Sequence, residues 1–448
     1  MGAGPQNYPY QELEFAKDGS PVHHEQADAV RALADQVTDV VVVSHGWNND
    51  MDEARVLYRT LFASMDAVRQ ARGTDLGGRS IGVVGVLWPS KRFADAELVP
   101  GGAAGIGDAD PALADDLRAM AGAFEAPGAS KVLDRAAALA ERLVGSPKAQ
   151  REYADLLRSL VSDDVAEPAD APDELFALDG PDLMDRLQAA MLSLSLGAVP
   201  AAAGGAMGRG GALGEVGGGV GEGSGGAAGL GSGLSHAWST GRSLLNFITY
   251  YEMKARAGRI GTASVAPILH TQVTGRATVH LVGHSFGARL VTAAADGLSG
   301  PKSVGSLSLL QAAFSHNSFA KEWAPRRPGG FRRMVDEHRV SGSTIITHTR
   351  NDKAVGIAYA IASSIADQAA SGLGDADSPF GGLGSNGAQH TPEADSGQAL
   401  QDVGAGYHFA AGGIHNLLAD RFVSGHGDVS NTQVANAVLQ NILATPPA

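Results

Sequence analysis

Gly283-His284-Ser285-Phe286-Gly287 is the pattern in this chain with the most chemical consequence: a serine with a glycine two positions to either side. Small-residue runs arise by chance, so the pentapeptide alone says little. Its surroundings make it specific. It directly follows a short apolar run, VHLV at 279–282, and directly precedes a helical pattern at 288–295. Reversing from strand to helix in so few residues forces the central residue into a strained backbone conformation. The glycines remove side chains that would clash there, and the Ser285 hydroxyl is left at the carboxyl edge of the strand. The amides beyond it open a helix, whose N-terminal end favours negative charge. Such a serine is suited to nucleophilic attack on a carbonyl. An ordinary Gly-Ser turn is the bland alternative, and it leaves the coincidence of strand, motif and helix unexplained.

A serine hydroxyl is a poor nucleophile until an imidazole takes its proton, and that imidazole must be oriented by a carboxylate. The chain contains no cysteine, which excludes a thiol nucleophile, thiolate metal sites and disulfides. No HExxH pattern or carboxylate–histidine cluster points to a metal. Neither Gly-rich stretch ends in the Lys-Ser/Thr pair of a phosphate loop. His23-His24 reads as a solvated pair in a polar turn. The expected chemistry needs no metal and no cofactor.

With these residues the chain resembles the α/β-hydrolase superfamily, in particular its bacterial esterase, lipase and thioesterase branch. The resemblance covers residues 37–90 and roughly 244–443, and leaves out 100–234. The elbow VHLVGHSFGARL is its most specific part. A second part is Val43-Ser44-His45-Gly46-Trp47-Asn48, where the superfamily carries an HGx segment after its first buried strand. Leu87-Trp88-Pro89-Ser90 and Tyr250-Tyr251-Glu252-Met253-Lys254 are similar to some members and carry no chemistry in this reading. The resemblance implies an oxyanion hole made by the backbone amides of Trp47 and Phe286. Gly46 allows close approach there, and His45, Gly283, His284 and Gly287 support the arrangement. Loss of one oxyanion donor typically costs roughly 3–4 kcal/mol.

The same resemblance implies the chain order serine, acid, histidine. His426, in Ser424-Gly425-His426-Gly427-Asp428 between the last strand and the last helix, stands where the family keeps its base. His316 precedes every acid loop, His348 and His415 fall inside strands, and His390 belongs with a Gly-rich loop. His408 is the runner-up. Asp352, in the loop after the strand 343–348 and just before the helix at 353–370, resembles the family's acid, with Asp402 and Asp375 as distant alternatives. A cap on the helix beginning at Lys353 is the bland alternative for Asp352, and the triad role is favoured because no other carboxylate is so placed.

These side chains need a rigid scaffold. The runs 37–44, 81–87 and 279–282 are continuous and β-branched, the pattern of strands buried on both faces of a parallel sheet. Between the first two, Val56, Leu57, Leu61, Phe62 and Met65 line one face of a helix at 52–69, giving a right-handed strand–helix–strand crossover. Further strands are expected at 306–313 and 343–348, with a last one at 414–420 or on to 423. An edge strand is expected at 11–15. Helices are expected at 25–34, 250–259, 353–370 and 431–443, the last capped by Asn431 or Ser430.

The predicted class is α/β: a mainly parallel α/β-hydrolase sheet flanked by helices, built from 1–99 and 236–448. Residues 100–235 read as a cap-like insertion with helices at 112–124, 131–144, 150–161 and 183–192. Its Gly-rich end, 204–233, cannot bury enough surface to offset chain entropy and reads as a flexible tether. A second Gly-rich loop spans 371–387.

Lys plus Arg is 34 and Asp plus Glu is 48, a net charge of −14 that repels nucleic acid and anionic membranes. Residues 1–14 show no basic leader followed by an apolar run, and no segment approaches the ~20 apolar residues of a membrane span. A cytoplasmic protein is expected. The expected function is hydrolysis of a small-molecule or lipid-like carboxylic ester by Ser285, Asp352 and His426. Competing readings are an acyltransferase or amide hydrolase using the same residues, or a non-catalytic binding protein that keeps the fold.

Overall fold

Val40 to Val43 are all buried, and alternate residues enter two different cores. A strand apolar on both faces belongs inside a sheet with helices on either side. The computed structural model describes residues 4–47, 49–74, 76–90, 112–161, 173–195, 228–366, 376–395 and 397–446, and it contains such a sheet. The strands are β1 (Tyr10–Glu14), β2 (Asp39–Ser44), β3 (Ile81–Leu87), β4 (Thr278–His284), β5 (Ser306–Leu310), β6 (Thr344–His348), β7 (Gln398–Ala399) and β8 (Ile414–Leu418). They lie in the order β1-β3-β2-β4-β5-β6-β8-β7, and every pairing is parallel. The fold is α/β, with helices flanking one sheet.

Helix α1 (Glu25–Ala34) and the helix Phe286–Gly297 share one core with Val40, Val42, Val84 and Leu281. Helix α2 (Met51–Arg72) and the helix Thr432–Ala444 share the other with Val41, Val43, Val83 and Val282. The two helices on this second side are capped locally. Asp50 and Glu53 form a capping box on α2, and Gly73 ends it in the left-handed conformation. Asn431 caps the helix Thr432–Ala444 by accepting from the Val434 amide at 3.0 Å.

Strand ends differ from expectation. The strand expected at 306–313 stops at Leu310, because Gln311 turns the chain at φ 41°. The last strand is the shorter Ile414–Leu418, and the two-residue β7 beside it was not foreseen. The helix expected at 353–370 is Lys353–Ile365, and 367–370 lie outside the described residues.

The Gly-rich tether expected at 204–233 is corrected at its far end. Residues 228–233 are already helical, the first turns of α8 (Ala228–Arg259), and 204–227 lie outside the described residues. A nucleated helix gains one hydrogen bond per added residue, which carries it through glycines that cost about 1 kcal/mol each. Past Arg259 the chain continues in wider π-helical turns, Ile260–Val265 and Leu269–Val273.

Between β3 and α8 come α3 (Ala112–Ala119), α4 (Ala129–Ala137), α5 (Pro147–Arg158), α6 (Asp173–Ala177) and α7 (Gly180–Ser195). Leu133, Leu143, Tyr153, Leu157 and Leu187 are fully buried in the same cluster that holds Val40 and Val42. These helices therefore continue the core of the sheet. Arg256 on α8, itself fully buried, ties them down: it donates to Glu125 at 3.0 Å, to the Ala123 carbonyl at 2.7 Å and to the Pro89 carbonyl at 3.1 Å. Helix α7 also packs on the helix Lys353–Ile365, and Arg186 donates to the Ile365 carbonyl at 2.7 Å. Among the described residues, no helix is long and apolar enough to cross a membrane.

Candidate active site

The strand-to-helix reversal after β4 puts Ser285 at φ 56° and ψ −123°, a conformation that L-residues rarely adopt. Its own backbone is stitched in place. The Ser285 amide donates to the Leu310 carbonyl at 3.0 Å, and its carbonyl accepts from the amides of Ala288 and Ala313 at 3.1 and 3.2 Å. Gly283 and Gly287 make the reversal possible. A Cβ on Gly287 would lie 2.3 Å from the Ser44 carbonyl oxygen, and one on Gly283 would lie 2.4 Å from Ala288 Cα. The elbow thus wedges against the end of β2.

Three side chains meet there. Ser285 Oγ donates to His426 Nε2 at 2.8 Å, and His426 Nδ1 donates to Asp352 Oδ2 at 2.8 Å. They come from the ends of β4 and β6 and from the loop between β8 and the last helix. Asp352 is completely buried, and 26% of the His426 side chain is exposed, so the line runs from the interior to the surface. Asp352 has a second function. Its Oδ1 accepts from the Val355 amide at 3.0 Å and so caps the helix Lys353–Ile365. The capping role and the role of partner to His426 are taken by the two oxygens of one carboxylate.

The other side of Ser285 is formed by the segment after β2. Gly46 lies so close that a Cβ there would be 2.5 Å from Ser285 Cβ and 3.0 Å from its Oγ. His45 fixes this segment from below. Its Nδ1 donates to the Gly46 carbonyl at 2.9 Å and its Nε2 accepts from the Trp88 amide at 3.2 Å. Ser90 donates to the same Gly46 carbonyl at 3.0 Å. Burial pushes the His45 imidazole down to about 4, so the ring is neutral. The Trp47 ring stacks on Phe286 with centroids 5.8 Å apart and meets Tyr250 edge-on at 5.9 Å. Asn48 lies outside the described residues.

No family model, curated protein or solved structure matches this chain.

The remaining candidates lie elsewhere. His408 is exposed in the loop before β8, and Asp402 is an exposed partner of Arg421 at 3.5 Å. Asp375 lies outside the described residues. His316 donates to the Ser378 carbonyl at 3.0 Å, His390 to Asn317 at 2.8 Å, and His415 to Asp395 at 2.8 Å. Sequence reasoning passed over a second serine–histidine–aspartate array at the amino ends of the strands. His280 Nε2 donates to Asp39 Oδ1 at 2.9 Å, and Ser306 Oγ donates to His280 Nδ1 at 2.8 Å. All three residues are buried, and Arg79 joins Asp39 at 2.9 Å while donating to the carbonyls of Ile442 and Thr445. Asp39, His280 and Ser306 share the residue types of the Ser285 site without its accessible edge, elbow or helix start. Among the described residues, no group of three or more His, Asp or Glu side chains is arranged to hold a metal ion.

Proposed function

We propose that this chain is a serine hydrolase of the α/β-hydrolase type that cleaves carboxylic esters through an acyl-enzyme. The observation that carries the reading is the unbroken line from buried Asp352 through His426 to Ser285, with 2.8 Å at each step. It stands on an elbow at the carboxyl edge of a parallel sheet.

The steps follow from the donors and acceptors. With its Nδ1 proton held by Asp352, His426 offers the Nε2 lone pair to the Ser285 hydroxyl. Ser285 Oγ attacks the ester carbonyl carbon as its proton passes to Nε2, and Asp352 stabilises the imidazolium. The carbonyl oxygen becomes an oxyanion. We assign its donors to the amides of Phe286, which opens a helix and so has no intrahelical acceptor, and of Trp47 beside Gly46. Collapse expels the alcohol, which takes the proton from His426. Water then repeats the sequence on the acyl carbon and frees Ser285.

Active-site labelling tests this directly. A fluorophosphonate probe should react with the folded chain at a single peptide containing Ser285, and short p-nitrophenyl esters should be turned over. Labelling of a different serine would reject the assignment. A folded chain that neither labels nor turns over esters would favour the binding-protein reading.

Gly46→Ala supplies a second expectation. Its Cβ cannot be placed without moving either Ser285 or the segment beside it. Overpacking of this kind costs about 1–3 kcal/mol in stability, whereas a misplacement near 1 Å at the reacting atoms costs about a hundredfold in rate. Turnover should therefore fall far more than the melting temperature. Full activity in the folded variant would show that the backbone of residue 46 lies further from the reacting atoms than the structure places it.

A further inference from the structure

We infer that His284 is a positioning residue for His426: by donating to the His426 carbonyl it holds the loop that carries the base through the stage at which Ser285 is acylated. The inference rests on the hydrolase reading above and adds to it a residue that touches neither the substrate nor the reacting atoms.

His284 is the last residue of β4, on the rigid side of the elbow, and its Nε2 lies 2.8 Å from the His426 carbonyl oxygen. A carbonyl only accepts, so Nε2 carries the proton and Nδ1 is left as a bare acceptor. That Nδ1 is buried without a hydrogen-bond partner. An unmade buried acceptor costs stability that an apolar side chain of similar size would not. What the imidazole provides in return is its bond to the loop.

The loop needs holding. His426 stands between Gly425 and Gly427, where an added Cβ would meet nothing within 4 Å. Ser424 and Asp428 close the base of the loop, at 3.0 Å through the Ser424 amide and 2.9 Å through its hydroxyl. At the apex, His426 reaches the body through Ser285, Asp352 and His284. The contact to Ser285 does not survive the reaction. Once Oγ becomes an ester oxygen it has no proton to donate. His426 must nevertheless stay in place, because Nε2 then removes a proton from water as the oxygen of that water bonds to the acyl carbon. The carbon–Oγ bond breaks next, and the proton returns to Ser285. Through that half of the cycle the apex depends on Asp352 and His284. The two imidazole centroids are 4.9 Å apart, so a charged His284 would oppose the imidazolium formed on His426. Burial and the neighbouring His426 push His284 down to about 3, which keeps it neutral.

The test compares His284→Leu with His284→Gln in the full chain, using p-nitrophenyl acetate. Glutamine can return an N–H close to the position of Nε2. For His284→Leu, kcat should fall by about ten- to a hundredfold with KM no higher. A burst of nitrophenol should appear as deacylation becomes slower than acylation, and the melting temperature should not drop. His284→Gln should restore kcat to within a few-fold. The downfield proton resonance of His426 Nδ1–H should broaden or vanish in His284→Leu and persist in His284→Gln. A His284→Leu enzyme with kcat within twofold of the parent and the same resonance would overturn the inference. So would equal impairment of both variants with a lowered melting temperature, which marks a purely structural role. If the parent chain turns over no ester and takes no probe, the hydrolase reading has failed. The resonance comparison then decides alone whether His284 positions His426, and an unchanged signal in His284→Leu rejects it.

Discussion

Ser285→Ala should lower ester turnover by on the order of 10⁶ and abolish probe labelling while leaving the melting temperature close to that of the parent. His426→Ala should be equally damaging, since in the proposed mechanism nucleophile and base act as one unit. Asp352→Asn should be severe but less so. The asparagine oxygen can still accept from Val355, preserving the helix cap, while its amide cannot accept the Nδ1 proton of His426 and so disfavours the working tautomer. Combining Asp352→Asn with His426→Ala should add little to His426→Ala alone, because the carboxylate acts through the imidazole. Ser306→Ala supplies an internal control. It removes the hydroxyl from the other serine–histidine–aspartate array and should leave turnover unchanged. Activity that survives Ser285→Ala and disappears with Ser306→Ala would invert the assignment.

Acid should unfold this protein, with stability falling by several kcal/mol between pH 7 and pH 4. His45, His284, His280 and His348 all have pKa values lowered by burial, His45 to about 4 and His284 to about 3. In the unfolded chain each would titrate near its ordinary value of about 6.5. A depressed folded pKa means that the unfolded state binds protons first. The stabilisation is therefore complete above about pH 6.5 and erodes as pH falls toward the folded values. By pH 4 the cost is about 3 kcal/mol each for His45 and His284. Carboxylates act in the same direction. Burial alone would raise Asp39, but hydrogen bonds from His280 and Thr38 and the nearby Arg79 hold it below its ordinary range, and that stabilisation is also lost on acidification. Urea unfolding at pH 7, 6, 5 and 4 measures the slope. A midpoint that stays flat across the series would show that these rings are charged or hydrated in the folded state.

How much of this was legible beforehand depends on how local each signal is. The runs at β2, β3 and β4 announce themselves because they are buried on both faces, and the glycines of the elbow because only they fit there. Asp352 and His426 were found by chain order, which is a property of the resembled family and not of either residue. The resemblance implied a supporting place for His45, but the partners through which it braces the segment were not readable, since Trp88 and Ser90 lie more than forty positions away. The array of Asp39, His280 and Ser306 was invisible for the same reason. Its members look like strand residues until β2, β4 and β5 are laid side by side. The helices between β3 and α8 showed their apolar spacing, but periodicity says which face is buried and not against what. Their common core with the sheet emerges only from the packing.

On the proposed reading, the strained backbone at Ser285 also governs when the molecule becomes competent. A residue at φ 56° is disfavoured by about 1–3 kcal/mol, so β4 and its helix alone would relax out of the elbow. What opposes relaxation comes from further along the chain: the Leu310 carbonyl and the Ala313 amide, delivered when β5 docks. His426 arrives 141 positions after Ser285, so a long loop must close before the two can meet. Refolding should therefore pass through species that are compact, helical and inert, and activity should return in a late phase that lags the recovery of helical signal. A nick in the chain between residues 310 and 426 could leave the helices standing and still silence the site.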